Sequence, residues 1–263
     1  GPAESIALLG ISDRVGVYIR RDYQPHGAVT TMRHFFATAF VAWLPLIVTI
    51  SSAAETTHVV VARQSGVFFG WPANGGGWTW DNGREAVVAF ASGDYVAKQG
   101  HNIGTRHTNR LARSLDGGMT WRIEEPRNYA QAGVPYREID HAVDFTNPNF
   151  AMRCIATGYD MAGDSRGGFQ YSLDRGRYWQ GPFRFGGLNA HSALQQCDVT
   201  CRTDYLVNGS ADALVMMSAR PAGKGGEDRT FWARTRDGGV HFDFGGWVVG
   251  MDDPFRAVMP STV

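Results

Sequence analysis

The sequence predicts an all-β chain of short antiparallel strands, and three observations carry that expectation. Its 263 residues include 33 Gly, 15 Phe, 9 Tyr and 8 Trp, a mixture of turn formers and strand-favouring rings. One turn-like octapeptide recurs three times at nearly regular spacing. Beyond residue 55 no segment sustains the 3.6-residue apolar period of a helix. The charge balance excludes other classes. With 25 basic and 25 acidic side chains the formal net charge is zero, so no long basic run is present to neutralise a nucleic-acid backbone. A hydrophobic content of 43% against 19% charged residues excludes a disordered chain.

The N-terminal part differs from the rest. Arg33 and His34 follow Met32, then Phe35 to Ile50 form a 16-residue apolar stretch, and Ser52-Ala53-Ala54 supply small residues suited to cleavage. Residues 32–54 are therefore expected to be a signal peptide. The stretch is shorter than the roughly 20 residues of a membrane span, and Pro45 interrupts it. No membrane span is expected after its removal, and the mature chain is expected to be secreted, periplasmic or on the cell surface. Residues 1–31 lie upstream, show no periodicity and are expected to stand outside the fold. That leaves 55–263, or 209 residues, for the folded part.

The octapeptides are Ser114–Trp121, Ser172–Trp179 and Thr235–Phe242, whose starts lie 58 and 63 residues apart. Each has a hydroxyl residue, Asp two later, Gly four later and an aromatic residue seven later. Asp116, Asp174 and Asp237 can accept hydrogen bonds from nearby backbone N–H groups and close a tight turn. Gly118, Gly176 and Gly239 supply backbone conformations that side chains resist. Trp121, Trp179 and Phe242 open the next strand and bury a ring beneath the hairpin.

Similar strands precede each turn: VVAFAS before NRLARS, AMRCIATG before GGFQYS, and ALVMMSAR before RTFWART. A polar, Gly-rich loop separates the members of each pair. Strand, loop, strand, Asp turn, strand is the outline of a four-stranded antiparallel propeller blade. At about 60 residues per repeat, 209 residues make room for three blades and the opening strand of a fourth. Cys197 and Cys201 flank a three-residue gap and could pair across a tight loop in an oxidising compartment. Cys154, in an apolar run, reads as a buried free thiol. No cluster at zinc-ligand spacing is present, and no metal or cofactor is expected.

The octapeptide is similar to the Asp-box, or bacterial neuraminidase repeat, and residues 60–263 resemble the sialidase superfamily in arrangement. The resemblance implies a six-bladed β-propeller of the sialidase type, with Ser114, Ser172 and their turns playing a structural part on the face opposite the active site. It also implies a glycoside hydrolase acting on sialylated or acidic glycans, so the expected partner is a glycan or glycoconjugate. Such enzymes grip the substrate carboxylate with an Arg of a Phe-Arg-Ile-Pro motif in the first blade. Here the corresponding stretch is Ala62-Arg63-Gln64-Ser65, which shares only the Arg.

The acid/base Asp of the family lies between the strands FASGD and LARS. Asp94 is the carboxylate of that loop, and His101 and His107 occupy its later part. Both imidazoles fit either proton transfer near neutral pH or ligand binding without catalysis. Arg106 belongs to the same loop. Asp140 and His141 are expected to open the second blade's inner strand and to join the same pocket, or to form a structural pair. Asp160, Asp164, Arg166, Lys224 and Glu227 come from the other two long loops. The Tyr nucleophile and its Glu belong to later blades in the family, and Tyr171 and Tyr178 sit in the second Asp-box unit instead. A non-catalytic glycan- or protein-binding propeller, or an inactive portion of a longer protein, therefore stands beside the hydrolase.

Overall fold

The computed structural model describes residues 7–11, 57–129, 134–155, 167–222, 228–250, 252–255, 257, 260 and 262. The expected signal peptide, 32–54, lies outside the described residues, as do Asp160, Asp164, Arg166, Lys224 and Glu227. The chain divides into one unit of Gly1–Leu9 with His58–Thr262 and another of Gly10–Thr57 with Val263. Nearly all described residues belong to the first.

The described chain is all-β, with every paired strand antiparallel to its neighbour in the large sheets. Strand β1 (Ala7–Ile11) pairs with β2 (Thr57–Ala62) in a two-stranded sheet. A first large sheet follows, made of β3 (Val67–Gly70), β4 (Gly77–Trp80), β5 (Glu85–Tyr95), β6 (Ile103–Ser114) and β7 (Arg122–Glu124). Strands β3 and β4 pair with the two halves of β5, from Val67 opposite Asp94 to Trp80 opposite Glu85, so they act as one interrupted inner strand. The interruption holds α1 (Pro72–Gly75), a single helical turn. Pro72 has no N–H to give a ladder and breaks the strand there. Gly75 then lies so close to β5 that a Cβ would stand 2.3 Å from that of Ala89.

The second sheet is a meander of β8 (Ala151–Ile155), β9 (Gly168–Ser172) and β10 (Gln180–Arg184). After two short 3-10 turns comes the third sheet: β11 (Cys197–Val207), β12 (Ala213–Pro221), β13 (Arg229–Thr235) and β14 (Asp243–Trp247). Alternation along the strands selects the buried faces. Ala213, Val215, Met217 and Ala219 of β12 join Phe169, Tyr171, Phe231 and Phe242 in a core between the second and third sheets. Trp78, Val87, Ala89 and Leu111 meet Trp179 and Tyr129 between the first and second. Val61 and Ala62 of β2 cover the opposite face of the first sheet at Phe69 and Phe90. Each fully buried ring is worth about 1.5–3 kcal/mol relative to exposure.

Two expectations are corrected here. No strand forms over described residues 134–150, so Asp140 and His141 do not open an inner strand. Arg137 makes a single bridge to β10, and further on Val143 donates its backbone N–H to Gly238 O and Phe145 to Ser210 O. The edge of β8 is left without a strand partner, and side chains of β11 satisfy it. The Met152 N–H donates to the Tyr205 hydroxyl at 3.2 Å and the Cys154 N–H to Thr203 Oγ1 at 2.9 Å.

The second correction concerns the cysteines. Cys201 is bonded to Cys154, with a Cα–Cα distance of 5.5 Å, and Cys197 is a buried free thiol. The expected Cys197–Cys201 bridge fails because both residues lie on β11. Four steps along a strand separate Cα atoms by about 13 Å, whereas a disulfide needs less than about 7 Å. Because β8 and β11 run side by side, Cys154 comes within reach.

Candidate functional site

The three Asp turns share one wiring. The hydroxyl oxygen of Ser114, Ser172 and Thr235 accepts the N–H of Gly118, Gly176 and Gly239, each at 2.8 Å. The same hydroxyls donate to Asp116, Asp174 and Asp237 at 2.7, 2.7 and 2.9 Å. Each carboxylate then accepts the backbone N–H four residues on, from Thr120, Tyr178 and His241. The indole N–H groups of Trp121 and Trp179 return to the carbonyls of Gly118 and Gly176. Phe242 lacks that donor and is simply buried. The Thr120 hydroxyl, then its backbone N–H and Ser114, hold the Asp116 carboxyl down to about 2. These carboxylates are occupied by their own turns.

The second turn departs at one position. Arg175 stands at φ 61°, where the other turns place Gly117 and Gly238. Its guanidinium reaches Asp81 at 2.5 Å and Glu85 at 2.7 Å. Glu85, only 5% exposed, also receives Arg113 at 2.6 Å and Arg177 at 2.9 Å. Burial pushes the Glu85 carboxyl up, but hydrogen bonds from Arg175 and Arg113 outweigh it and leave it lowered. This cluster joins the first and second sheets at their Asp-turn end. Sequence reasoning missed it, although an Arg replacing Gly in a repeated turn was its visible sign.

At the other end of the first sheet lies the β5–β6 hairpin with most of the expected site residues. Phe68, Gly93 and His107 are register partners across β3, β5 and β6, so they share one face. Above them sits Trp71, in a left-handed conformation at φ 58° that bulky residues seldom adopt. Its ring meets His101 edge-on at 5.1 Å, His107 at 5.7 Å and Phe68 at 5.4 Å. The Trp71 indole N–H donates to His101 Nδ1 at 3.4 Å, so a neutral His101 carries its proton on Nε2 and presents a donor outward. Both His are exposed and Trp71 is half-buried.

The remaining expected residues surround this cluster unevenly. Asp94 is exposed at a register shift in β5, opposite Val67. Alternation along β6 turns Arg106 to the face opposite His107. Arg63 is exposed just past the end of β2, in the segment leading into β3. Sequence reasoning missed Trp71. Its sign was the breaker Gly70-Trp71-Pro72 inside an otherwise strand-like run.

Asp140 and His141 lie elsewhere, which corrects their assignment to the same pocket. His141 Nδ1 is 2.8 Å from Asp140 Oδ1, and its Nε2 is 2.7 Å from the Tyr171 hydroxyl. Tyr171 also donates to Gln180 at 3.0 Å. Tyr171 and Gln180 flank the second Asp turn, and Val143 is bonded beside the third, so the segment is anchored at the Asp-turn end. His141 beside Asp140 lowers that carboxyl, while burial raises the Tyr171 phenol. A phenol 2% exposed and raised is a packed hydrogen-bonding group rather than a nucleophile.

Among the described residues no group of three His, Cys, Asp or Glu side chains is placed to hold a metal ion. None of their helices is long and apolar enough to cross a membrane. The fold and the site together define an all-β protein of stacked antiparallel sheets with Asp turns at one end and an indole–imidazole cluster at the other. No family model and no curated protein matches the chain. Among solved structures it is similar to a protein of unknown function from Dyadobacter fermentans DSM 18053, with a TM-score of 0.42 and 13% identity. The match covers 75% of this chain and 55% of that one, so the chain spans about half the length of that protein.

Proposed function

We propose that this protein is an exported Asp-box propeller of the sialidase type that binds acidic or sialylated glycans. The observation that carries the reading is the Trp71–His101–His107 cluster at the end opposite three Asp turns that share one hydroxyl–glycine bond. An indole beside two imidazoles offers a stacking wall for a sugar ring and donors for its hydroxyl and carboxylate groups. Arg63, exposed in the segment leading into β3, adds positive charge, whereas Arg106 faces away from His107. Export is supported by the apolar stretch at 35–50 and by the Cys154–Cys201 bridge, a bond of oxidising compartments.

Binding is favoured over hydrolysis by the chemistry of the cluster, whose touching side chains among the described residues are an indole, two imidazoles and a phenyl ring. Titration with 3′-sialyllactose, followed by tryptophan fluorescence, tests the proposal. Trp71→Ala is expected to weaken binding about tenfold, since a stacked ring contributes roughly 1–2 kcal/mol. Equal affinity in wild type and variant would remove Trp71 from the site. The hydrolase reading keeps Asp94 as proton donor. Turnover of a fluorogenic sialoside, abolished by Asp94→Asn, would establish it in place of simple binding.

A further inference from the structure

A cavity of about 410 Å³ lies at the Asp-turn end, away from Trp71. It opens between β4 of the first sheet and β11 of the third, with the loop before β8 as its third wall. The β4–β5 turn is bonded to the first Asp turn through Gly117 N–H and Arg84 O, and the β11–β12 turn to the third through Gly238 N–H and Ala211 O. Those bonds hold the two walls at that end. Five rings line the space: Trp78, Trp80, Phe145, Phe150 and Tyr205. Phe150 meets Phe145 at 5.4 Å and Tyr205 at 5.9 Å, both edge-on. In an edge-on pair only one ring gives a face to its partner, so negative π faces stay open.

The polar side chains of the lining are largely spent on the protein itself. Asn147 Oδ1 accepts the Asn149 N–H at 2.9 Å. Thr203 Oγ1 accepts the Cys154 N–H and donates to the Asn74 carbonyl at 3.2 Å, and the Tyr205 hydroxyl accepts the Met152 N–H. Both Asp204 oxygens accept from Thr262, which is not among the lining residues. A ligand that depends on many hydrogen bonds, such as a saccharide, is therefore a poor fit. Charge is a different matter, because accepting hydrogen bonds leaves the Asp204 carboxylate negative. No basic side chain is among the described lining residues. The Arg175 guanidinium, 6.0 Å from the Trp80 ring, is paired with Asp81 and Glu85.

We infer that this cavity binds a small quaternary ammonium compound, whose trimethylammonium head is attracted by the ring faces and by the Asp204 charge. Such a head has no N–H to donate, so it asks nothing of acceptors that are already engaged, and aromatic walls are the usual means of holding it. The volume falls in the range of small-ligand sites, about 300–1,000 Å³. A compound that carries its own phosphate is disfavoured, because Asp204 repels the second anion and no cation of the lining offsets it. The inference does not depend on the glycan proposal for the Trp71 end.

The test titrates the full chain by calorimetry with choline, with phosphocholine and with neohexyl alcohol, in which carbon replaces the charged nitrogen of choline. Choline is expected to bind about tenfold tighter than either of the others. Phe150→Leu keeps an apolar side chain and removes a ring; it is expected to weaken choline about fivefold and to leave the neutral alcohol unchanged. Asp204→Asn is expected to weaken choline about fivefold and to spare the alcohol in the same way. If melting shows that D204N does not fold, added salt serves instead, lowering the affinity for choline and not for the alcohol. Equal affinity for choline and neohexyl alcohol would make the space a merely apolar cavity and overturn the inference. No choline binding, tighter binding of phosphocholine than of choline, or choline binding that Phe150→Leu leaves unaltered would overturn it as well.

Discussion

Arg175 shows how much one side chain can conceal. A left-handed backbone disfavours any residue with a Cβ, and the other two turns place glycine there. The ion pairs with Asp81 and Glu85 offset that strain. Arg175→Ala is expected to lose the pairs and keep the strain, while Arg175→Gly loses the pairs and relieves it. The Gly variant should therefore melt roughly 2–4 °C above the Ala variant. Equal melting temperatures would show that the turn bears no strain. Acid stability depends on neighbouring carboxylates. Asp116 is held near 2, and Glu85 and Asp81 are also lowered, each by hydrogen-bonded partners. A lowered folded-state value means the contribution is present above the unfolded value near 4 and lost as pH falls towards 2. The urea midpoint should thus be level near neutrality and drop between about pH 4 and 2, less steeply in Asp116→Asn. The turn residues were legible in the sequence because their bonds are local. The partners of Glu85 were not, since Arg175 and Arg177 lie some ninety residues away.

Among the elements, strands flanking the Asp turns follow the sequence pattern closely. The pairs β5–β6 and β12–β13 enclose the runs that precede the first and third turns, and β8 and β9 take up Ala151–Ile155 and Gly168–Ser172 of the runs that precede the second. The absent inner strand of the second sheet was not legible. Whether a segment joins a ladder depends on what else can satisfy the neighbouring edge, and two hydroxyls of β11 do so here. Thr203→Val removes the acceptor for the Cys154 N–H and is expected to cost about 1–3 kcal/mol, the penalty for a buried donor left unpaired. Urea unfolding measures it; a loss below about 0.5 kcal/mol would mean that another acceptor takes over. The disulfide was misread for a related reason. Spacing in sequence suggested a loop, whereas CDVTC runs as an extended strand that carries its two cysteines apart.

For the molecule, the sequence pattern conveyed the all-β class and which ends of the sheets hold turns and which hold polar loops. It did not convey which polar residues meet. His101 and His107 share the ring of Trp71, whose strand is interrupted by Pro72, and Asp140–His141 is drawn to the opposite end by Tyr171. The hydroxyl-capped edge of β8 also bears on cooperativity. A sheet that completes its own edge can open as an independent unit, as in arrays whose repeats contact only neighbours. The second sheet cannot, because its inner amides are closed by side chains of the third and one covalent bond crosses between them. The two sheets should therefore behave as a single foldon in native-state hydrogen exchange, with the Met152 and Cys154 amides opening at the free energy of the β11–β12 ladder. Faster exchange at those two amides than along β12 would show that the sheets part before either unfolds. Sequence repeats count three turns in this chain, but exchange would then count fewer units than turns.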